Sequence, residues 1–160
     1  MQTSFLSRIL SIVFLCTLMA CTPVPISQLY HGKTITDVQI IPLSGSGPQQ
    51  GNWSTFDMVI DYQYQVENDR LHISGTGMLS QHYQLLYAAV RQLRVYLFLL
   101  DDSGRVQQTV PLSAFLSNAE DTFRFDQSVV LAPEIKAFSF GYSGYAYENE
   151  DQFYFDQLPN

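Results

Sequence analysis

The sequence predicts an all-β fold, an antiparallel β-sandwich of about seven or eight strands. Three observations support this prediction. β-Branched and aromatic residues alternate with polar residues in most segments, clusters of turn-forming residues separate those segments, and little of the chain has helical spacing. The pattern is typical of immunoglobulin-like or transthyretin-like sandwiches, and residues 34–160 are long enough to form one such domain.

The first half of the domain reads as three strands. Residues 34–43 form the first strand, and the glycine-rich stretch 44–52 follows as a long loop. Residues 56–66 alternate between apolar and polar side chains, which places one face in a core and the other in water. After a tight turn at 67–70, residues 71–79 return as the partner strand of a hairpin.

The central segment contains the strongest apolar run. Residues 85–90 have the composition of a helix start, whereas 93–100 is strand-like and, after Arg94, apolar on both faces. Such a strand belongs at the centre of a sandwich or beneath a covering element. The turn 101–104 then leads into a partner strand at 105–112.

The last third of the domain completes the predicted sandwich. Residues 113–121 form a loop or a single helical turn, and an acidic turn covers 148–151. Three segments have strand patterning: 122–131, 135–147 and 153–157. In addition, the run 95–101, with Gly104 and Val106, resembles the strand–Asp–Gly–strand hairpins of immunoglobulin-like modules in bacterial envelope proteins.

The N-terminus has the organisation of an export signal. Arg8 is the only charged side chain in residues 1–20, and the apolar run 9–19 is much shorter than the roughly 20 residues of a membrane-spanning helix. The sequence therefore predicts a signal peptide over 1–20 that is removed. The less favoured alternative, a buried N-terminal helix, has neither a cap nor an amphipathic period to support it.

The four residues Leu18-Met19-Ala20-Cys21 resemble the lipobox of bacterial lipoproteins. Met19 departs from the pattern, which usually has a small or β-branched residue there. The resemblance implies cleavage after Ala20, a diacylglycerol on the sulfur of Cys21, and anchoring of the chain in the lipid bilayer. Because Thr22 rather than aspartate follows the cysteine, the pattern favours the outer membrane of a two-membrane bacterium.

Residues 21–33 read as a tether that becomes ordered near its end. Pro23 and Pro25 favour extended backbone, and about ten residues span roughly 30 Å. Cys16 leaves with the signal and Cys21 carries lipid, so the mature domain has no free thiol or disulfide and depends on packing.

The charge balance argues against nucleic-acid binding. The chain has 8 Lys and Arg against 15 Asp and Glu, a net charge of −7. An acidic surface repels phosphate backbones and anionic head groups, and no basic stripe interrupts it. The same balance argues against an electrostatic membrane-binding face.

The sequence predicts no metal site, no cofactor and no enzymatic activity. His31, His72 and His82 lie in different segments without metal-ligand spacing, and the nucleophile-elbow and phosphate-loop motifs are missing. Gly75 and Gly77 are interpreted as strand-bulge positions. The two acidic turns do not fit a calcium-binding loop and are interpreted as solvated hairpin turns.

The aromatic C-terminus holds the candidate interaction surface. Its members are Tyr142, Tyr145, Tyr147 and Tyr154. Aromatic residues at alternate positions usually fill a core, which accounts well for Phe138, Phe140 and Tyr142. The other three tyrosines lie near glycines and an acidic turn, where exposed rings would form a protein-binding face or a platform for sugars.

The sequence as a whole predicts a membrane-anchored bacterial lipoprotein with a non-catalytic β-sandwich. We expect it to act as a binding or accessory subunit of an envelope assembly, with an envelope protein as its partner. The alternative is a lipoprotein domain that binds a small ligand or a glycan.

Overall fold

The computed structural model describes residues 25–35, 39–44, 47–87, 89–112, 114–148 and 151–159. The predicted signal peptide, Cys21 and the predicted lipid attachment lie outside these ranges. Within them the chain forms nine strands and one α-helix: β1 (Ile41–Pro42), β2 (Gln49–Ser54), β3 (Met58–Glu67), β4 (Arg70–Leu79), α1 (Gln81–Leu86), β5 (Ala89–Leu100), β6 (Val106–Leu112), β7 (Thr122–Val130), β8 (Ala137–Glu148) and β9 (Asp151–Gln157).

The strands form two antiparallel sheets that enclose one core. In sheet A, β5 lies between β6 and β8, and the far edge of β8 pairs with β1 at one end and with β9 at the other. Sheet B has the order β2-β3-β4-β7. The predicted all-β antiparallel sandwich is therefore confirmed, with nine strands where about seven or eight were expected.

The core consists of the inward faces of both sheets, as the alternating pattern predicts. Met58, Ile60 and Tyr62 of β3 are buried against Phe138 and Phe140 of β8 in one apolar cluster. The hairpin of β3 and β4 is confirmed, and its tight turn places Asn68 and Asp69 at positive φ. Such a turn matches the twist of the paired strands.

Gly75 and Gly77 are not bulge positions, because β4 pairs continuously with both of its neighbours. Each glycine instead lies directly opposite a phenylalanine of β7, Gly75 opposite Phe125 and Gly77 opposite Phe123. A Cβ added at Gly75 would lie 2.7 Å from Cζ of Phe125. The missing side chains make room for two inward-facing rings.

β5 is apolar on both faces and has a covering element, as predicted. Its outward residues Tyr96, Phe98 and Leu100 form a second apolar cluster. Residues 25–35, called the strap below, cover this cluster. The ring of Tyr30 packs edge-on against Tyr96 and Phe98, with centroid distances of 6.1 and 5.6 Å.

The strap contains part of the segment that the sequence assigns to the tether. The Gly32 amide donates to the carbonyl of Val106 at 2.8 Å, and the Thr109 hydroxyl donates to the carbonyl of Leu29. Residues of the predicted tether from Pro25 onward therefore pack on sheet A, because the outward face of β5 is apolar and needs cover. The predicted reach of roughly 30 Å is shortened accordingly.

Two further elements differ from the sequence prediction. The predicted loop 44–52 contains β2, whose Gly51 lies opposite Tyr62 and leaves space for its ring. Of the predicted strand 34–43, an isolated bridge at Thr34 and the two residues of β1 form β pairs, while residues 36–38 lie outside the described ranges.

The helix also begins earlier than predicted. Residues 85–90 have the composition of a helix start, yet α1 ends at Leu86, and Ala89 already pairs with Tyr147. The described part of 113–121 is a loop, whose Asn118 forms a bridge to Ala89. This bridge holds the loop beside the start of β5.

Candidate interaction surface

A β-bulge in β5 sets the chemistry of the outward face of sheet A. Arg91 pairs with Tyr145 and Arg94 with Ser143, so the partners are two residues apart while the arginines are three apart. The extra residue turns both arginines to the outward face. Gln92, inside the bulge, has a φ of 54°, in the left-handed region that non-glycine residues seldom adopt.

Beside the bulge lies a compact group of three tyrosines and one arginine, called the tyrosine patch: Tyr145, Tyr147, Tyr154 and Arg91. Tyr145 pairs in register with Tyr154 across β8 and β9, and their ring centroids are 5.2 Å apart. The guanidinium carbon of Arg91 lies 5.1 Å from the ring centroid of Tyr147, within the range of a cation–π interaction.

The patch is a surface feature. Tyr154 is 55 % exposed, while Tyr145 and Tyr147 are half-buried. Partial desolvation, and then the Asp156 carboxylate, raise the pKa of Tyr154, whereas Ser143 opposes the shift. The Asp156 carboxylate accepts a hydrogen bond from the Tyr154 hydroxyl and thereby favours the protonated phenol.

The outward face continues from the patch to the strap. Burial first, and then Tyr96 and Asp156, raise the pKa of Tyr30, whereas Arg94 lowers it. The ring of Tyr30 packs on Tyr96 and Phe98 on the outward face of β5, the face to which Arg91 and Tyr145 of the patch also belong. Strap and patch therefore share one face of sheet A.

Tyr142 does not belong to the surface, and this member of the predicted set is corrected. Its side chain is only 1 % exposed and points into the core. The reason is parity, since Tyr142 shares the inward face of β8 with Phe138 and Phe140, whereas Tyr145 and Tyr147 alternate onto the other face.

The hydroxyl of Tyr142 links the two sheets at the end of the sandwich. It donates to Oδ2 of Asp57 at 2.7 Å and lies 2.8 Å from Oγ1 of Thr55, both in the turn between β2 and β3. Burial, and then the Asp57 carboxylate, also raise the pKa of Tyr83 in α1. Asp57 thus joins three elements through phenol donors, which is a structural role.

The same end of the molecule carries exposed apolar side chains, called the apolar tip. They come from the β2–β3 turn, from α1 and from the β6–β7 loop: Phe56, Leu85, Leu86 and Phe115. Phe56 is 71 %, Leu85 77 % and Phe115 81 % exposed. Their only described ring contact is that of Phe56 with His82, at 4.8 Å between centroids.

The outward face of sheet B is polar. Asn52 donates to Asp61 at 2.8 Å and Gln63 to Ser74 at 3.1 Å, both across neighbouring strands. A shallow groove runs over this face, lined in part by Asp61, Gln63 and Arg124. Asp61 and Gln63 already have side-chain partners on this face, so they are less available to a ligand.

The acidic turn between β5 and β6 is stabilised by its own residues. The Asp101 carboxylate accepts hydrogen bonds from the hydroxyl and amide of Ser103, the amide of Arg105 and the side chain of Gln107. The Ser103 hydroxyl is the largest contributor that lowers the pKa of Asp101, to about 2. In the part of the chain that the structure describes, no three His, Cys, Asp or Glu side chains gather as a metal site.

Sequence reasoning found three of the four patch residues and missed Arg91. Arg91 and Arg94 are three residues apart in the sequence, which in a regular strand would put them on opposite faces. The bulge in β5 instead places both on the outward face. The apolar tip was also missed, because its residues come from three separate turns and loops.

No protein family, curated protein or solved structure matches this chain. Within the described ranges, no helix has the length and apolar character needed to cross a bilayer. Proposals about function therefore depend on the lipobox and on the geometry of the two exposed surfaces.

Proposed function

We propose that the chain is a lipid-anchored bacterial envelope protein that acts by binding, and that the tyrosine patch is the surface it presents to a protein partner. The observation that carries the proposal is the grouping of Tyr145, Tyr147, Tyr154 and Arg91 on one face of sheet A. Tyrosine and arginine, with tryptophan, are the residues enriched where binding energy concentrates in protein interfaces.

The architecture of the patch suits recognition. Register pairing holds Tyr145 and Tyr154, and the bulge holds Arg91 over Tyr147, so few rotamers are lost on binding. The rings supply apolar area while the hydroxyls supply hydrogen bonds. A partner with apolar side chains and carbonyl acceptors fits this surface.

The lipobox supplies the proposed location. A diacylglycerol on Cys21 would give stable anchoring, because two acyl chains bury far more methylene groups than one. We propose the outer membrane on the basis of Thr22, and an accessory role in an envelope assembly on the basis of the binding surface. The whole chain then serves to hold the patch at the membrane.

Site-specific photocrosslinking in native membranes tests the protein-binding role. A photoreactive side chain at Tyr154 should capture one envelope protein, identified by mass spectrometry. The same probe at Gln63, exposed on the outward face of sheet B, is the matched control and should not capture it. Identical capture from both positions, or none from Tyr154, would contradict the proposal.

Truncation of the patch adds an independent test. Tyr154→Ala should abolish co-purification of the captured protein while the free energy of unfolding changes by less than about 1 kcal/mol, because the ring is mostly exposed. Gln63→Ala is the control that should preserve co-purification. Loss of the partner with both variants would indicate that a different surface binds.

A glycan is the second candidate ligand, favoured by the exposed ring of Tyr154, since sugars stack on such rings. Trp53 is fully buried and is therefore a poor reporter of surface binding. NMR of ring-labelled tyrosines is the better measurement. Shifts of Tyr145 and Tyr154 on addition of cell-wall sugars, without any captured protein, would favour the glycan.

A further inference from the structure

We infer that the apolar tip rests on the lipid bilayer, placed there by the short segment between Cys21 and Pro25. This inference depends on the proposed lipid anchor and adds an orientation to it. Its occupant is the acyl and interfacial region of a membrane.

The path of the strap gives the direction of the anchor. The Ile35 amide donates to the carbonyl of Gly104, Gly32 contacts Val106, and Leu29 contacts Thr109. The strap thus runs antiparallel to β6. Its N-terminal end therefore lies toward the C-terminal end of β6. That end of the sandwich contains the β6–β7 loop and Phe115.

The length of chain before the strap limits where the lipid can lie. Four peptide units join Cys21 to Pro25 and span at most about 14 Å. From the level of Thr109 to the end of β6 is roughly 10 Å at 3.3 Å per residue, whereas the opposite end of the hairpin is about twice as far away. Because the strap already runs toward the tip end, these lengths place the lipid nearer to the tip than to the opposite end of the hairpin.

The exposed side chains at the tip have the composition that a bilayer accepts. Phe56, Leu85 and Phe115 are each more than two-thirds exposed, on three separate segments. Among the described residues at the opposite end, the exposed large apolar side chains are those of Ile40 and Val130, and both are aliphatic. Aromatic and leucine side chains on one side of a lipid-anchored domain favour insertion at the acyl boundary.

The acidic side chains near the tip indicate that its contact with the membrane is apolar rather than electrostatic. Glu120 and Asp121 lie in the β6–β7 loop, so anionic head groups do not attract this end. The contact is apolar, and it should persist at high salt and with zwitterionic lipid. The tyrosine patch lies on a sheet face, parallel to the strands, and so faces sideways along the membrane.

Fluorescence quenching by lipid tests this orientation. Acylation of Cys21 leaves an introduced cysteine as the unique thiol of the mature chain. Lipidated full chains carrying Glu120→Cys at the tip or Asp102→Cys at the opposite end are labelled with a fluorophore and reconstituted in phosphatidylcholine vesicles containing spin-labelled lipid. Mass spectrometry of each sample verifies the lipid on Cys21.

The tip label should be quenched strongly and the opposite label weakly, in low and high salt alike. Phe56→Ser with Leu85→Ser and Phe115→Ser should reduce quenching at Glu120→Cys. Equal quenching at both ends, stronger quenching at Asp102→Cys, or no effect of the three serines would overturn the inference while leaving the anchor intact. An unlipidated Cys21 would instead overturn the proposed function. Crosslinking of the tip to a protein in native membranes would also overturn the inference.

Discussion

Tyr142 shows how one hydroxyl group can link the two sheets of a sandwich. Its ring lies in the core between the sheets, and its hydroxyl reaches Asp57 and Thr55 in the turn that joins β2 and β3 of sheet B. Removing the hydroxyl leaves a partly buried carboxylate with one donor fewer. Hydrogen bonds to charged groups contribute more to stability than neutral ones.

We therefore predict that Tyr142→Phe lowers the free energy of unfolding by about 2 kcal/mol, measured by urea denaturation at pH 7. The ring and its packing are kept, so the loss reports the hydrogen bonds. Tyr145→Phe, on the surface, is the control and should change stability by less than about 0.5 kcal/mol. Equal effects of the two substitutions would show that Tyr142 acts through packing alone.

Asp101 makes the stability depend on pH in the acid range. Its folded pKa of about 2 lies below the ordinary value of 3.8, so its contribution is complete only above about pH 5 and is lost as the pH falls through 3.8 toward 2. Asp101→Asn should lower the urea midpoint at pH 7 and flatten its fall between pH 4 and 2. Asp102→Asn in the same turn is the control, and equal flattening by both variants would contradict the assignment.

At the level of elements, the glycine–phenylalanine pairs of β4 and β7 are a packing requirement. A Cβ at Gly77 would collide with the ring of Phe123. Gly77→Ala should therefore destabilise the fold by about 1–3 kcal/mol in a denaturation experiment, and Phe123→Leu in the same chain should restore part of the loss. Thr76→Ala, on the outward face, is the control. Additive losses from Gly77→Ala and Phe123→Leu would contradict the pairing.

The strap is the second element with a measurable consequence. Tyr30→Ala removes the ring that covers Tyr96 and Phe98, and we expect a loss of about 1–3 kcal/mol together with faster hydrogen exchange at the Gly32 amide. Ile26→Ala, at a side chain 53 % exposed, is the control and should leave both quantities nearly unchanged. Unchanged exchange at Gly32 after Tyr30→Ala would show that the hydrogen bonds alone hold the strap.

How far these elements follow from the sequence depends on the range of the interactions involved. The alternation in β3 is local, and the structure confirms it. The apolar run in β5 predicts a cover, but which segment provides it depends on contacts between residues about 70 positions apart, such as Tyr30 and Phe98. The sequence alone favours a bulge at Gly77, and only its pairing with Phe123 in β7 shows that the glycine makes room for a ring.

The candidate surface follows the same rule. Period-two counting separates Tyr142 from Tyr145 once the inward face is known, but the register of β8 comes from its neighbours. The bulge at Gln92 has no local signature, since neither glycine nor proline marks it. Arg91 therefore joins the patch only in three dimensions.

At the scale of the whole molecule, the proposed anchor, the strap and the two surfaces form one arrangement. The N-terminal end of the strap lies toward the apolar tip, and the tyrosine patch lies on the outward face of sheet A. A partner approaching along the membrane would meet the patch without displacing the tip. Each part of this arrangement depends on the lipid at Cys21.

The most direct test of the account is the intact mass of the chain extracted from its own membranes. We predict a chain that begins at Cys21 and carries a diacylglycerol, with or without a third acyl group on its amine. Cys21→Ser should yield a precursor of residues 1–160 without lipid. A processed chain without lipid, or a wild-type chain that keeps residues 1–20, would contradict the account.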